Sequence, residues 1–170
     1  GKLPAQYSTL LDISKAGSNL VAVGEYGHVL MSKDGSTWEQ IRTPHSAMLN
    51  AVEFVDARTG WAVGHDQTIL RTTDGGKTWK IQYFDANNSK PFYGTHFDDA
   101  SKGFIVGSGG VLLATKDGGS SWKEKETFLA DLGMHANNIS RLNDGTLVIA
   151  GERSIIMRSS DEGETWELVS

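Results

Sequence analysis

Four copies of one short turn constrain this chain more than any other feature. They are Ser32-Lys33-Asp34-Gly35-Ser36-Thr37-Trp38, then residues 72–79, 115–122 and 159–166, each ending on a tryptophan: Trp38, Trp79, Trp122 and Trp166. The aspartates Asp34, Asp74, Asp117 and Asp161 are spaced by 40, 43 and 44 residues. Self-similarity at a steady period marks a stacked supersecondary unit. Upstream of each turn lie two apolar runs. The first ends in glycine, at Gly24, Gly64, Gly107 and Gly151. The second begins near Val29, Ile69, Val111 and Ile155. Before both stands an alternating stretch: Leu11 to Ile13, Val52 to Phe54, Thr95 to Phe97 and Ile139 to Leu142.

Each unit therefore reads as four short strands. Alternation marks the first, and continuous apolar runs buried on both faces mark the second and third. The tryptophan opens the fourth. Twenty glycines against three prolines fit many tight turns. Four antiparallel strands repeating every 40–45 residues make a β-propeller blade. The expected fold is all-β: one propeller domain over residues 1–170, with four-stranded blades at about 8–43, 47–85, 91–127 and 135–170. Inner strands are expected near 10–14, 51–55, 93–98 and 137–142. Only Phe128 to Met134 suggests helix, and at most one turn of it.

The aspartate turn has a mechanical reading. Its carboxylate accepts hydrogen bonds from amides of its own turn. Glycine supplies the left-handed backbone, and the tryptophan packs between blades. Asp34, Asp74, Asp117 and Asp161, with their tryptophans, are accordingly expected to be structural. A functional site is normally built once on a scaffold, not once per repeat. The first copy is one residue shorter, so its turn should differ in geometry.

These residues resemble the Asp box, or bacterial neuraminidase repeat. Phe54-x-Asp56-x-x-x-Gly60-Trp61-Ala62-Val63-Gly64, followed by Ile69 to Trp79, is similar to the repeat of the photosystem II stability/assembly factor family. Phe97 to Gly107 and Gly110 to Trp122 repeat it, and the first and last units are degenerate copies. The resemblance implies a non-catalytic protein-binding module that helps assemble a membrane complex. It implies a periplasmic, extracytoplasmic or lumenal location. Propellers of this family generally carry more than four blades. The alternative is a glycan-binding or sialidase-related glycan-cleaving propeller.

Loops on a rigid scaffold concentrate binding residues. The turns between second and third strands share one face with the blade-to-blade connections, opposite the Asp boxes. That face offers Glu25, Tyr26, His28, His65, Asp66, Gln67, Glu152 and Arg153 as binding candidates. Asp12, Glu53, His96 and Arg141 each precede the last apolar residue of a first strand. They are expected as one polar residue per blade near the axis, forming a hydrogen-bonded plug. No catalytic set is recognisable. Sialidase chemistry needs an arginine cluster, and Arg71 and Arg158 instead hold equivalent places before two boxes. No metal site and no cofactor are expected. His28, His65 and Asp66 lack close ligand spacing, and Gly107 to Gly110 lacks the following helix of a phosphate loop.

The formal charge of −5 disfavours nucleic acid, and no apolar run reaches 18 residues, so no span is expected. Without cysteine there is no disulfide. Each unit begins with its first strand and ends with its fourth, so no strand is held over as a clasp. Only residues 1–9 are spare, and Pro4 makes them a poor central strand. Two arrangements follow: a closed four-blade ring, or a half-ring with apolar end faces. The preferred reading is the second, a homodimer closing an eight-blade ring.

Overall fold

A computed structural model of the chain describes residues 7–169. Pro4 lies outside the described residues. The described residues form four four-stranded antiparallel sheets, each in sequential order. Blade one holds β1 (Leu10–Ala16), β2 (Asn19–Gly24), β3 (Val29–Ser32) and β4 (Glu39–Ile41). Blade two holds β5 (Leu49–Phe54), β6 (Gly60–Gly64), β7 (Ile69–Thr72) and β8 (Lys80–Tyr83). Blade three holds β9 (Phe92–Phe97), β10 (Gly103–Gly107), β11 (Leu112–Thr115) and β12 (Lys123–Glu124). Blade four holds β13 (Ala136–Arg141), β14 (Leu147–Gly151), β15 (Ile156–Ser159) and β16 (Glu167–Leu168). The one α-helical turn among the described residues is α1 (Phe128–Asp131), where the sequence suggested it.

The chain divides into two compact units, Gly1–Pro91 and Phe92–Ser170. In the first, one apolar cluster joins Val21, Val23, Val29 and Met31 of blade one to Val52, Ala62, Leu70 and Trp79 of blade two. In the second, Phe104, Val106 and Leu112 of blade three meet Ile139, Leu147, Ile149 and Met157 of blade four. Side chains alternate along a strand, so every blade has two faces. The face blade one turns to blade two is called its back, and the face blade two turns to blade one its front.

The boxes close by hydrogen bonds within each turn. In blade two the Thr72 hydroxyl donates to Asp74 Oδ1 (2.9 Å) and accepts from the Gly76 amide (3.0 Å). Asp74 also accepts from the Thr78 amide (2.9 Å) and hydroxyl (2.6 Å). Thr115, Asp117 and Ser121 repeat this, as do Ser159, Asp161 and Thr165. The hydroxyl and amide of Ser121 hold the Asp117 carboxyl down to about 2, and those of Thr165 do the same for Asp161. The shorter first copy is wound more tightly. Ser32 Oγ accepts from Gly35 (2.8 Å), three residues on, where the other boxes use the fourth. Asp34 accepts from the amides of Ser36 (2.8 Å) and Thr37 (2.7 Å). Trp79 is 5% exposed and meets Phe54 edge-on at 6.0 Å, whereas Trp38 is 36% exposed.

The ladders give each residue of the expected polar ring its register. Glu53 lies opposite Trp61 and His96 opposite Phe104, which are equivalent places. Asp12 lies opposite Val23, the place held by Ala51, Gly94 and Asn138 in the other blades. Arg141 lies opposite Leu147, the place of Phe54 and Phe97. The four are not in one register. β1 runs on to Ala16, past the alternating stretch, and β13 ends before Leu142, so the last apolar residue is not a common origin.

Candidate functional site

The turns joining second to third strands are one device used four times. Gly24 and Gly64 stand at its entry because a side chain would strike the start of the inner strand. A Cβ would lie 2.1 Å from the Thr9 carbonyl oxygen at Gly24, and 1.9 Å from that of Met48 at Gly64. The next amide, of Glu25 or His65, donates to that same carbonyl (3.0 and 2.9 Å). Glu152 donates likewise to the His135 carbonyl (3.1 Å). The turn then closes on itself: the His28, Thr68 and Ile155 amides donate to the Glu25, His65 and Glu152 carbonyls, each at 3.0 Å.

Closure forces the next two residues into the left-handed region. They are Tyr26 (φ 57°) and Gly27 (65°), Asp66 (54°) and Gln67 (47°), Gly109 (66°) and Gly110 (71°), and Arg153 (54°) and Ser154 (62°). A side-chain-bearing residue there costs roughly 1–2 kcal/mol. Blades one, two and four nevertheless place Tyr26, Asp66 and Arg153 at the tip. Strain of this kind is characteristic of ligand-facing sites.

The expected binding residues divide by what they touch. Glu25 Oε2 accepts from the Thr9 amide (2.8 Å) and Glu152 Oε2 from the His135 amide (3.0 Å), so both carboxylates pin the start of an inner strand. Gln67 is buried. His28 is 1% exposed, with its ring 5.9 Å from that of Tyr26. Tyr26, His65 and Arg153 are exposed and Asp66 is half-buried. Beside Tyr26 a cavity of about 500 Å³ is lined by Gly27, His28, Gln40, Ile41, Arg42 and Thr43. Among the described residues no three His, Asp or Glu side chains are placed to hold a metal.

Two threonines missing from the sequence reading organise this end. Thr43 Oγ1 donates to the Gly27 carbonyl (2.6 Å), and Thr127 Oγ1 to that of Gly110 (2.8 Å). They clamp the blade exits over Gly27 and Gly110, where a Cβ would lie 2.2 Å from the His45 carbonyl oxygen and 2.3 Å from the Ala130 nitrogen. The signal was present: each threonine stands five residues after its box tryptophan, Trp38 or Trp122. His45 Nδ1 accepts from the Ala47 amide (3.1 Å), and His135 Nδ1 from that of Gly109 (2.9 Å).

Two of the inner-strand residues, Asp12 and Arg141, serve as joints between blades. Asp12 Oδ2 accepts from the Val52 amide of the next blade (2.9 Å). Arg141 forks onto Asp98 (Nε–Oδ1 2.7 Å, Nη2–Oδ2 2.8 Å) and Glu162 (Nη2–Oε2 2.9 Å), over the Phe104 ring. His96 Nε2 lies 2.8 Å from Asp98 Oδ1. Burial pushes the Asp98 carboxyl up, but the bonds and charges of Arg141 and His96 outweigh it and hold it below its ordinary value. Glu53 is half-buried.

A family model described as photosynthesis system II assembly factor YCF48 matches residues 30–95 and again 85–170. The chain belongs to that family. The photosystem II assembly lipoprotein Ycf48 of Prochlorococcus marinus (strain MIT 9312) is 38% identical over 133 residues, 78% of this chain and 39% of that protein. The solved structure of YCF48 bound to D1 peptide superposes with a TM-score of 0.75 at 24% identity, over 95% of this chain and 54% of that one. A GH74 enzyme of Niastella koreensis superposes with a TM-score of 0.74 at 17% identity, over 95% of this chain and 30% of that one, which is a likeness of fold alone. The chain thus spans about half or less of the length of these relatives. Its four sheets are β-propeller blades with Asp-box turns. No helix among the described residues is long and apolar enough to cross a membrane.

Proposed function

We propose that the chain is a non-catalytic protein-binding module of the photosystem II assembly-factor type, its four blades working as one propeller domain. It acts at an extracytoplasmic or lumenal membrane surface, on a membrane complex under assembly. The observation that carries this reading is the family match, which runs from residue 30 to residue 170. The relative named as a lipoprotein and the relative solved with a D1 peptide support the location and the class of partner. The partner-facing residues are Tyr26, His65, Asp66 and Arg153, since Glu25 and Glu152 are occupied by backbone amides. A second copy of the chain is a further partner under this reading.

The test is titration of the chain with a D1 peptide, beside a glycan array and a fluorogenic glycoside panel. Saturable peptide binding is expected. Tyr26→Ala with Asp66→Ala should weaken it while the melting temperature holds. Glycan binding or glycoside turnover, with no peptide binding, would replace this reading by the glycan one.

A further inference from the structure

The chain holds four Asp-Gly pairs: Asp34-Gly35, Asp74-Gly75, Asp117-Gly118 and Asp144-Gly145. Such a pair can rearrange without any other reagent than water. The glycine amide nitrogen attacks the aspartate Cγ, and the carboxyl hydroxyl leaves with the amide proton as water. The five-membered imide that results takes up water at its main-chain carbonyl, which breaks the original peptide bond. The chain then runs on through Cγ as isoaspartate, with a free α-carboxyl, unchanged mass and one extra backbone carbon. The step needs a carboxyl free to swing onto the next amide, and a following residue without Cβ in its way.

The boxes deny three of the pairs that freedom. Asp74 Oδ1 accepts from the Thr72 hydroxyl and the Thr78 amide, and Oδ2 from the Thr78 hydroxyl. Asp117 is held on both oxygens by Thr115 and Ser121 in the same way. Asp34 Oδ1 carries three donors, the Ser32 hydroxyl and the amides of Ser36 and Thr37. The attacking nitrogens are committed as well. The Gly75 amide donates to the Arg58 carbonyl (2.9 Å) and the Gly118 amide to that of Ser101 (2.7 Å), each in the turn between the first two strands of its blade. The Gly35 amide donates to Ser32 Oγ (2.8 Å).

Asp144 lies in the turn from β13 to β14, where residues 142–145 are all exposed. Its carboxyl is held from within that turn, Oδ1 by the Thr146 amide (2.9 Å). The Gly145 amide donates to the Leu142 carbonyl (3.0 Å), again inside the turn. Gly145 is left-handed (φ 91°), and a Cβ there would meet nothing within 4 Å. Freeing carboxyl and amide together therefore asks for the opening of one exposed turn, the part of a fold that opens most readily.

We propose that Asp144-Gly145 is a site of spontaneous isoaspartate formation, the pair that the fold leaves reactive while the boxes protect the other three. The site bears on the joint of the second unit. Arg141 Nη1 donates to the Gly145 carbonyl (2.7 Å), and the same guanidinium forks onto Asp98 and Glu162. The extra backbone carbon moves that carbonyl, so the modified chain holds Arg141 less firmly.

The test is prolonged incubation of the full chain at neutral pH and physiological temperature, followed by peptide mapping with electron-transfer fragmentation, which tells isoaspartate from aspartate. Isoaspartate should accumulate at residue 144 ahead of residues 34, 74 and 117. Asp144→Ser keeps an acceptor for the Thr146 amide but cannot form the imide, so it should abolish the product there. Ser121→Ala frees Asp117 Oδ2 and should bring isoaspartate to residue 117. Thr78→Val does the same for Asp74 and serves if Ser121→Ala fails to fold. After equal incubation, the unaltered chain should exchange its β13 and β14 amides faster than Asp144→Ser. An unmodified residue 144, or a box aspartate that keeps pace with it in the unaltered protein, overturns the assignment. A box that stays unmodified without its hydroxyl overturns the protection ascribed to the boxes, and equal exchange overturns the link to Arg141.

Discussion

Blades one and two are joined at their inner strands by two bonds from small polar side chains. Asp12 takes the Val52 amide and Ser14 Oγ the Phe54 amide (3.2 Å). Blades three and four are joined by charge. Arg141 forks between Asp98 and Glu162, Lys102 reaches Glu162 (2.8 Å), and Lys125 pairs with Glu164. The two pairs share one topology, one box and one apolar seam, but differ in what fixes the inner strands against each other. The seam alone sets how far apart two blades lie. Register along the seam needs directional bonds, and either backbone-directed or ion-paired ones suffice.

The contrast is tested first where it should matter most. Trp79 fills the seam of the first unit, and its indole N–H donates to the Gly76 carbonyl (3.0 Å). Trp79→Ala should cost about 3–5 kcal/mol, the usual figure for a large buried aromatic. Trp38→Ala, at a half-open position of the same design, should cost far less in the single chain. Equal losses in melting temperature would show that the seam does not carry the first unit.

The joints themselves come second. Arg141→Met leaves Asp98 and Glu162 facing each other without their cation. Removing a partly buried partner that makes several hydrogen bonds to charged groups costs about 2 kcal/mol. The loss should fall on hydrogen exchange of β10 and β14, leaving β2 and β6 protected. Asp12→Ala removes one bond to a carboxylate, about 1.5 kcal/mol, and should act on β2 and β6 instead. Equal spread of either loss over both units would erase the distinction between them.

The repeat made the fold legible because one box recurs with its tryptophan, and a period of that length with four short strands has few solutions. The face carrying the loops was legible for the same reason. The tips were not. Tyr26, Asp66 and Arg153 are three unrelated residues sharing one left-handed place, and only Gly109 announces it. What is visible instead is the glycine ahead of each turn, which at Gly24 and Gly64 leaves room for the inner strand's carbonyl. The ladder positions of the inner-strand polar residues were not legible for a different reason. Alternation reports which face a residue occupies and is silent on how far one strand has slid against the next. The slide is set by contacts such as Asp12 with Val52, 40 residues away.

Acid gives the smallest and most graded test. In the second unit Asp98, Asp117, Asp161, Glu162 and Glu164 are all held below their ordinary values, Asp117 and Asp161 to about 2. In the first unit Asp34, Asp56 and Asp74 are held low, by turn amides and hydroxyls that act against burial at Asp74. A carboxyl with a depressed folded value stabilises fully above its unfolded value of about 4. That stabilisation is lost as pH falls through the folded value, here toward about 2 for the two boxes. Both units should therefore weaken between about pH 4 and about pH 2, and the second more, because its joint as well as its boxes must be protonated. Arg141 keeps its charge throughout, so protonating Asp98 and Glu162 strands a cation in a half-buried place. Hydrogen exchange followed down this range should show β10 and β14 opening before β2 and β6. Arg141→Met should abolish that order, and an order already absent in the unaltered protein would mean that the ion network adds nothing to the seam.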